Sequence, residues 1–251
     1  MYSKQQQDYR GSVLLAISLA VISYGTFVVS FRNTKGRLGI PDEPLLPPQE
    51  FRNESMKEKP GKGKPVLHGV RVVEWSNGIS ATARIMAELG AEVIKLELPT
   101  AVEPSPTDVF DLGKYSVYCD LRTKQGKKLF DDLLRDADVF VTNIDQSTLR
   151  ECDVCYDKVS NLNPHIVYAQ LTGWGVHGST LPFNAAAFWA ASGLSGSLYG
   201  SKSYRSCPQG FGALTASQAL VSGICLALTY KLETGKGRFV TSSLLVSIYH
   251  S

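Results

Sequence analysis

The sequence has almost no excess of charge of either sign: 26 Lys and Arg against 23 Asp and Glu leave a net of +3 over 251 residues. Such a balance makes no basic face, which argues against nucleic acid as a partner. Cysteine is scarce and odd in number, at Cys119, Cys152, Cys155, Cys207 and Cys225, without the spacing of a disulfide framework. Free thiols in a reducing compartment follow from that. Cys152-x-x-Cys155 has no second pair to complete it, and His68, His165, His177 and His250 are scattered, so no metal site is expected. The phosphate-loop spacing GxxxxGK[ST] is absent despite Thr234-Gly235-Lys236-Gly237. Acidic residues vanish altogether between Tyr168 and Glu233. That stretch therefore offers no carboxylate for nucleophilic or proton-transfer chemistry.

What is present is organised around Leu67 to Pro99. Val70, Val72 and Val73 form a β-branched run ending at Trp75, and Ser76-Asn77-Gly78 supplies turn residues. Apolar residues from Ile79 to Leu89 recur near helical spacing, Gly90 stands where a left-handed cap is expected, and Val93, Ile94 and Leu96 resume as a strand. This is one βαβ unit. The pattern continues with a strand over Tyr115 to Leu121, an amphipathic helix from Thr123 to Arg135, and strands at Ala137 to Val141 and Ile166 to Leu171. The expected fold class is α/β: a Rossmann-like, mostly parallel sheet with helices on both faces.

Ahead of that domain, a polar lead at residues 1–10 precedes Gly11 to Phe31, which contains no charged residue. At about 1.5 Å per residue this run reaches ~31 Å as a helix, enough for the hydrocarbon core of a bilayer. It is too long for the apolar region of a signal peptide, and Ser30-Phe31-Arg32 is a poor cleavage site. The reading is a retained single-pass transmembrane helix in contact with lipid. Arg32, Lys35 and Arg37 after the span, against Lys4, Asp8 and Arg10 before it, place the C-terminal part on the cytoplasm-equivalent side. Residues 32–66 are a proline-rich linker.

Six pieces in order, GVRVVEW, ELGAEVIKLELP, GKYSVYCDLRTKQGKKLFDDLLRDADVFVTN, NPHIVYAQLTGWGVHG, ASGL and ETGKGRFVTSSLL, resemble the family III CoA-transferases, the group of formyl-CoA transferase, carnitine CoA-transferase and α-methylacyl-CoA racemase. The resemblance covers residues 67–251 and implies a domain incomplete relative to the family's longer, interlocked chains. It also implies that TGKG is the turn after a long helix, and that Ala213 to Leu232 is a buried core helix rather than a second span. The family's nucleophilic aspartate falls on Ala185, or on Asn184 with a one-residue shift, and neither side chain can serve as a carboxylate. Its Gly-Asp and arginine loop reads Thr100-Ala101-Val102-Glu103-Pro104, and its Glu-Asn-Phe-Arg reads Thr142-Asn143-Ile144-Asp145. An acid at Asp145 opposes the phosphates of CoA. Lys95, Lys114, Gly173 and Gly175 match family positions and are the residual CoA candidates.

The resulting expectation is a non-catalytic, membrane-anchored accessory subunit of a respiratory-type complex in the mitochondrial inner membrane, with its domain in the matrix, other protein subunits as partners and no cofactor. The helical spacing of Val240, Leu244, Leu245 and Ile248 marks Val240 to Tyr249 as the contact surface. The alternative is an active acyl-CoA transferase or racemase that uses coenzyme A.

Overall fold

The computed structural model describes residues 63–78, 80–98, 108–175, 188, 190–193 and 210–249. The expected span at 11–31 and the linker up to residue 62 lie outside them, as do Asn184 and Ala185. In chain order the elements are β1 (Arg71–Trp75), α1 (Ala81–Glu88), β2 (Glu92–Glu97), α2 (Asp108–Asp111), β3 (Tyr115–Tyr118), α3 (Lys124–Arg135) and β4 (Val139–Thr142). They continue with α4 (Gln146–Glu151), α5 (Tyr156–Leu162), β5 (Val167–Thr172), α6 (Phe211–Thr234), β6 (Phe239–Ser243) and α7 (Leu244–Tyr249).

The six strands form one sheet in the order β3-β2-β1-β4-β5-β6. Every pairing is parallel, including Val72 with Val93 and Val72 with Val139. β1 and β4 are buried along their whole length, as strands covered on both faces must be. Alternation sends Val72, Val93, Val141 and Ala169 to one apolar layer with α1, α6 and Leu244, and Val73, Ile94, Phe140 and Tyr168 to the other with α3 and α5. Trp75, Phe130, Phe140 and Tyr168 run through the second layer edge to face, with ring centroids 6.4, 5.8 and 5.2 Å apart. The parallel, helix-covered sheet meets the expectation from the sequence.

At the amino end of the sheet Asp138 ties four elements together. Its carboxylate accepts from the Arg71 amide at 2.9 Å and from Lys231 Nζ at 2.8 Å, while its carbonyl accepts from the Val167 amide at 2.9 Å. Lys231 belongs to α6, so this buried acid sets the long helix against β1, β4 and β5.

Gly90 has φ of 95°, the left-handed cap expected after α1. Gly235 likewise ends α6, with φ of 69°. The α6 helix is long and apolar enough to cross a membrane, but 61% of its apolar window is buried, and Ala216, Leu220, Val221 and Ile224 lie in the core. It is the core helix expected from the family resemblance.

Three local expectations need correction. The third strand stops at Tyr118 rather than Leu121, because Asp120 turns back to bind Arg122 through two bonds of 2.9 Å and so opens the cap of α3. Residues 146–162 hold two short helices where no element is evident from periodicity. Val240 to Tyr249 is not one helix: Val240 is in β6, paired with Ala169, and the chain becomes helical only at Leu244. Leu244 itself is in the core, and Val240 and Leu245 pack against that core, so these positions serve the domain's own packing.

Gly237 closes β6 against β5. A Cβ there would lie 1.9 Å from the Ile166 carbonyl oxygen, whereas one on Gly235 meets nothing within 4 Å. Gly235→Ala is expected to cost about 1 kcal/mol, the penalty of a left-handed alanine. Gly237→Ala should cost about 2 kcal/mol or more, because backbone must move. Urea denaturation of the two variants tests the ranking, and equal midpoints would contradict the close approach.

Candidate functional site

In an open sheet of this order, strand connections diverge on either side of β1 and β4, leaving a crevice at their carboxyl ends where α/β proteins take ligands. In this chain the crevice is bordered by the turn that follows β1 and by Asn143 to Asp145 after β4. The amide of Asn143 bridges the two borders: its Oδ1 accepts from the Asn77 amide at 2.7 Å, and its Nδ2 donates to the Asn77 carbonyl at 2.8 Å. The turn is therefore held by a side chain from the neighbouring strand's end. Helix α1 begins at this edge, and Ser80 at its start makes no side-chain bond to the first turn. The leading amides of such a helix carry a polarity that suits an anion.

On the β2 side stands a group of four charges. Glu74, in the middle of the sheet, has a side chain with 0% exposure and pairs at 2.6 Å with Lys114, whose side chain is 2% exposed. Ser76 Oγ donates to the other carboxylate oxygen at 2.9 Å. Lys95, the register partner of Glu74 on β2, points from the same face and pairs with Asp111 at 2.5 Å. The second Asp111 oxygen lies 3.5 Å from Lys114. Two of the residual CoA candidates, Lys95 and Lys114, are thus brought together, and each is matched by a carboxylate.

The glycine candidates lie across the crevice, beyond β5. The Gly173 carbonyl accepts from the Leu245 amide at 3.2 Å, and the Gly175 amide donates to Thr172 Oγ1 at 3.1 Å, with Gly175 at φ of 94°. They shape the turn leaving β5. Within that turn the Trp174 ring meets Phe188 at 4.3 Å between centroids, and Phe188 is fully buried. This contact joins a residue three positions after Ala185 to the carboxyl end of β5.

Asp145 has a structural role besides its charge. It is the cap of α4, accepting from the Thr148 amide at 3.0 Å and Thr148 Oγ1 at 2.7 Å, and from Ser147 Oγ. The Ser147 hydroxyl first, and then the Thr148 amide, hold its carboxyl down at about 2. Glu74, Asp111 and the Asn143 bridge were also not singled out from sequence. A lone acid inside the apolar run RVVEW was the available signal, since a buried charge requires a partner.

A family model described as CoA-transferase family III matches residues 67–251. Two curated relatives are the (R)-2-hydroxy-4-methylpentanoate CoA-transferase of Clostridioides difficile, 32% identical over 74% of this chain and 51% of that protein, and the cinnamoyl-CoA:phenyllactate CoA-transferase of Clostridium sporogenes, 34% identical over 72% and 50%. The chain thus spans about half the length of these curated relatives. Among solved structures, a CAIB/BAIF family protein from Brucella suis superposes with a TM-score of 0.67 at 23% identity, covering 74% of this chain and 55% of that one. Rv3272 from Mycobacterium tuberculosis, in its orthorhombic form, superposes with a TM-score of 0.66 at 23% identity, covering 74% and 57%. At these identities the structural likeness speaks to the fold.

Two substitutions test the charges around the crevice. Lys114→Met strands a buried carboxylate and should cost roughly 3–5 kcal/mol, whereas the double variant Glu74→Leu/Lys114→Met should recover most of that loss. Asp145→Ala should cost about 1 kcal/mol at neutral pH through loss of the cap. Because the folded carboxyl sits at about 2, below the ordinary value of about 3.9, this contribution is fully present above about pH 4 and is lost as pH falls to about 2 and below. Thermal melts of wild type and Asp145→Ala should therefore converge in acid, and a constant gap between them would refute the charge-based cap.

Proposed function

Because the chain belongs to CoA-transferase family III, we infer that its α/β domain supplies the CoA-binding half of a protein acting on CoA thioesters. The observation that carries this reading is the strand order, whose connections diverge between β1 and β4, with the start of α1 and the Asn77–Asn143 bridge at that switch point. The relatives' names support it. They share CoA transfer and differ in the acid served, from a hydroxy acid to succinate with glutarate, and formyl-CoA with oxalate. The common element is the thioester carrier, so it is the carrier that is carried over to this chain.

This reverses the order of the two readings reached from sequence. The expectation of a subunit with no cofactor leaned on Asp145 as a repellent of phosphate and on the missing nucleophile. Asp145 is occupied as a helix cap, and the family match and relatives favour action on CoA thioesters. A carboxylate nucleophile is still absent at Asn184 and Ala185, so the reacting acid would come from elsewhere, including another chain.

A second reading keeps a specific observation on its side. The uncharged run Gly11 to Phe31 supports a membrane anchor, and with it a place beside other subunits, at the mitochondrial inner membrane with the domain in the matrix. The two readings are compatible if the anchored domain binds CoA.

Calorimetry with CoA and an acyl-CoA on detergent-solubilised full-length protein tests the CoA reading. Binding in the low micromolar range, about −8 kcal/mol, is expected if the crevice holds the carrier. No measurable binding would overturn the CoA reading in favour of a purely structural subunit. Alkaline carbonate extraction should leave the protein in the membrane pellet, and its release would remove the anchor.

A further inference from the structure

Two of the four charges, Glu74 and Lys95, stand on strands, and two, Lys114 and Asp111, do not. Glu74 is wholly buried, belongs to the central strand, and is bonded by both Lys114 and Ser76. Asp111 ends the single turn α2, and its side chain is 33% exposed. It nevertheless occupies both lysines, at 2.5 Å from Lys95 and 3.5 Å from Lys114. Glu74 and Lys114 already neutralise one another. What Asp111 neutralises is the remaining positive charge, on Lys95, whose side chain is 19% exposed.

A phosphate arriving there seeks the same partners. A carboxylate and a phosphate at the same two ammonium groups repel each other, and two lysines with one buried acid between them cannot neutralise both. We propose that Asp111 is a resident anion on the Lys95–Lys114 pair, and that a phosphate-bearing ligand binds at this edge by displacing it. Displacement has a mechanical consequence. The turn that carries Asp111 is otherwise tied to α1 by the Arg84 guanidinium donating to the Leu112 carbonyl at 2.5 Å, so losing the lysine contacts loosens α2 and the entry to β3. Asp111 thereby sets a threshold for phosphate and couples ligand arrival to the release of a surface turn. The identity of the ligand as CoA rests on the preceding reading; the displacement does not.

Full-length protein is titrated with inorganic pyrophosphate and, separately, with CoA, as wild type, Asp111→Asn and Lys95→Gln/Asp111→Asn. Removing the resident charge should tighten pyrophosphate about tenfold, within the usual range of coupling between two sites. Adding Lys95→Gln should abolish the gain. In wild type, pyrophosphate should speed amide exchange at residues 109–112, which needs no variant and holds even if Asp111→Asn folds poorly. Pyrophosphate affinity that is unchanged or weaker in folded Asp111→Asn overturns the proposal, as does wild-type exchange at 109–112 that is indifferent to pyrophosphate. If pyrophosphate behaves as expected while CoA binds to none of the three proteins, displacement stands and the CoA reading falls.

Discussion

The arrangement of the carboxyl edge depends on one requirement, that a carboxylate in the central strand have a cation. Glu74 has no exposed surface, and a lone charge there would be costly. Lys114 meets the requirement from the residue just before β3. The pair therefore fixes where β3 begins against β2, brings the α2 turn over the sheet, and places Asp111 within reach of Lys95. A second buried acid, Asp138, does the equivalent work at the amino edge, where Lys231 of α6 is its cation. Polar ties at the two ends bracket an apolar middle, and the ends differ in their acids: the Asp111 side chain is 33% exposed and that of Asp138 5%, while Lys95 and Lys231 are alike.

Much of the fold was legible because parallel strands buried on both faces have to be apolar almost without interruption, and VRVVEW and DVFVT come closer to that rule than EVIKLEL, where Glu92, Lys95 and Glu97 are not buried. Capping was legible in part: Gly90 adopts the left-handed conformation expected of it, and Gly235, read as part of the turn after a long helix, is left-handed as well. The failures have a common cause in local pattern overridden by tertiary contact. Val240, Leu244 and Leu245 have helical spacing, yet Val240 is drawn into the sheet by pairing with β5. The helices α4 and α5 are too short for periodicity to reveal; α4 starts on the Asp145 cap, whereas Cys155 before α5 makes no side-chain cap bond. Asp145 would have signalled the first of them had it been weighed as an N-cap rather than as a charge.

The site was harder to read because residue identity fixes charge but not partner. Lys95 and Lys114 suggest a phosphate contact by type and position, and the structure supplies a carboxylate for each. Asp145 suggests repulsion by type, and the structure surrounds it with two hydroxyls and an amide. In each case the potential offered to a ligand is that of the local group of charges and dipoles. The glycines illustrate the same point without charge: Gly173 and Gly175 match the family by position, and their visible roles are a carbonyl that receives Leu245 and a turn closed by Thr172.

Binding and chemistry are separable in this architecture, and that separation bears on how the residue at 185 should be weighed. The elements that border the crevice are strand ends, the start of α1 and the turn after β1, all within residues 74–145. The family's carboxylate position falls at residues 184–185, and Phe188 a few positions later meets Trp174 beyond β5. The hydrogen-bond and ion-pair partners that hold Asn77, Asn143, Lys95 and Lys114 are Asn143, Asn77, Asp111 and Glu74, all in the earlier stretch. The identity of the residue at 185 therefore does not enter those contacts. Conversely, the electrostatics around Lys95 govern whether a phosphate can settle, whatever stands at 185. A chain of this kind can lose catalysis and retain a carrier site, or retain neither. The deciding quantity is the balance of charge among Glu74, Lys95, Asp111 and Lys114, because these four groups are paired with one another.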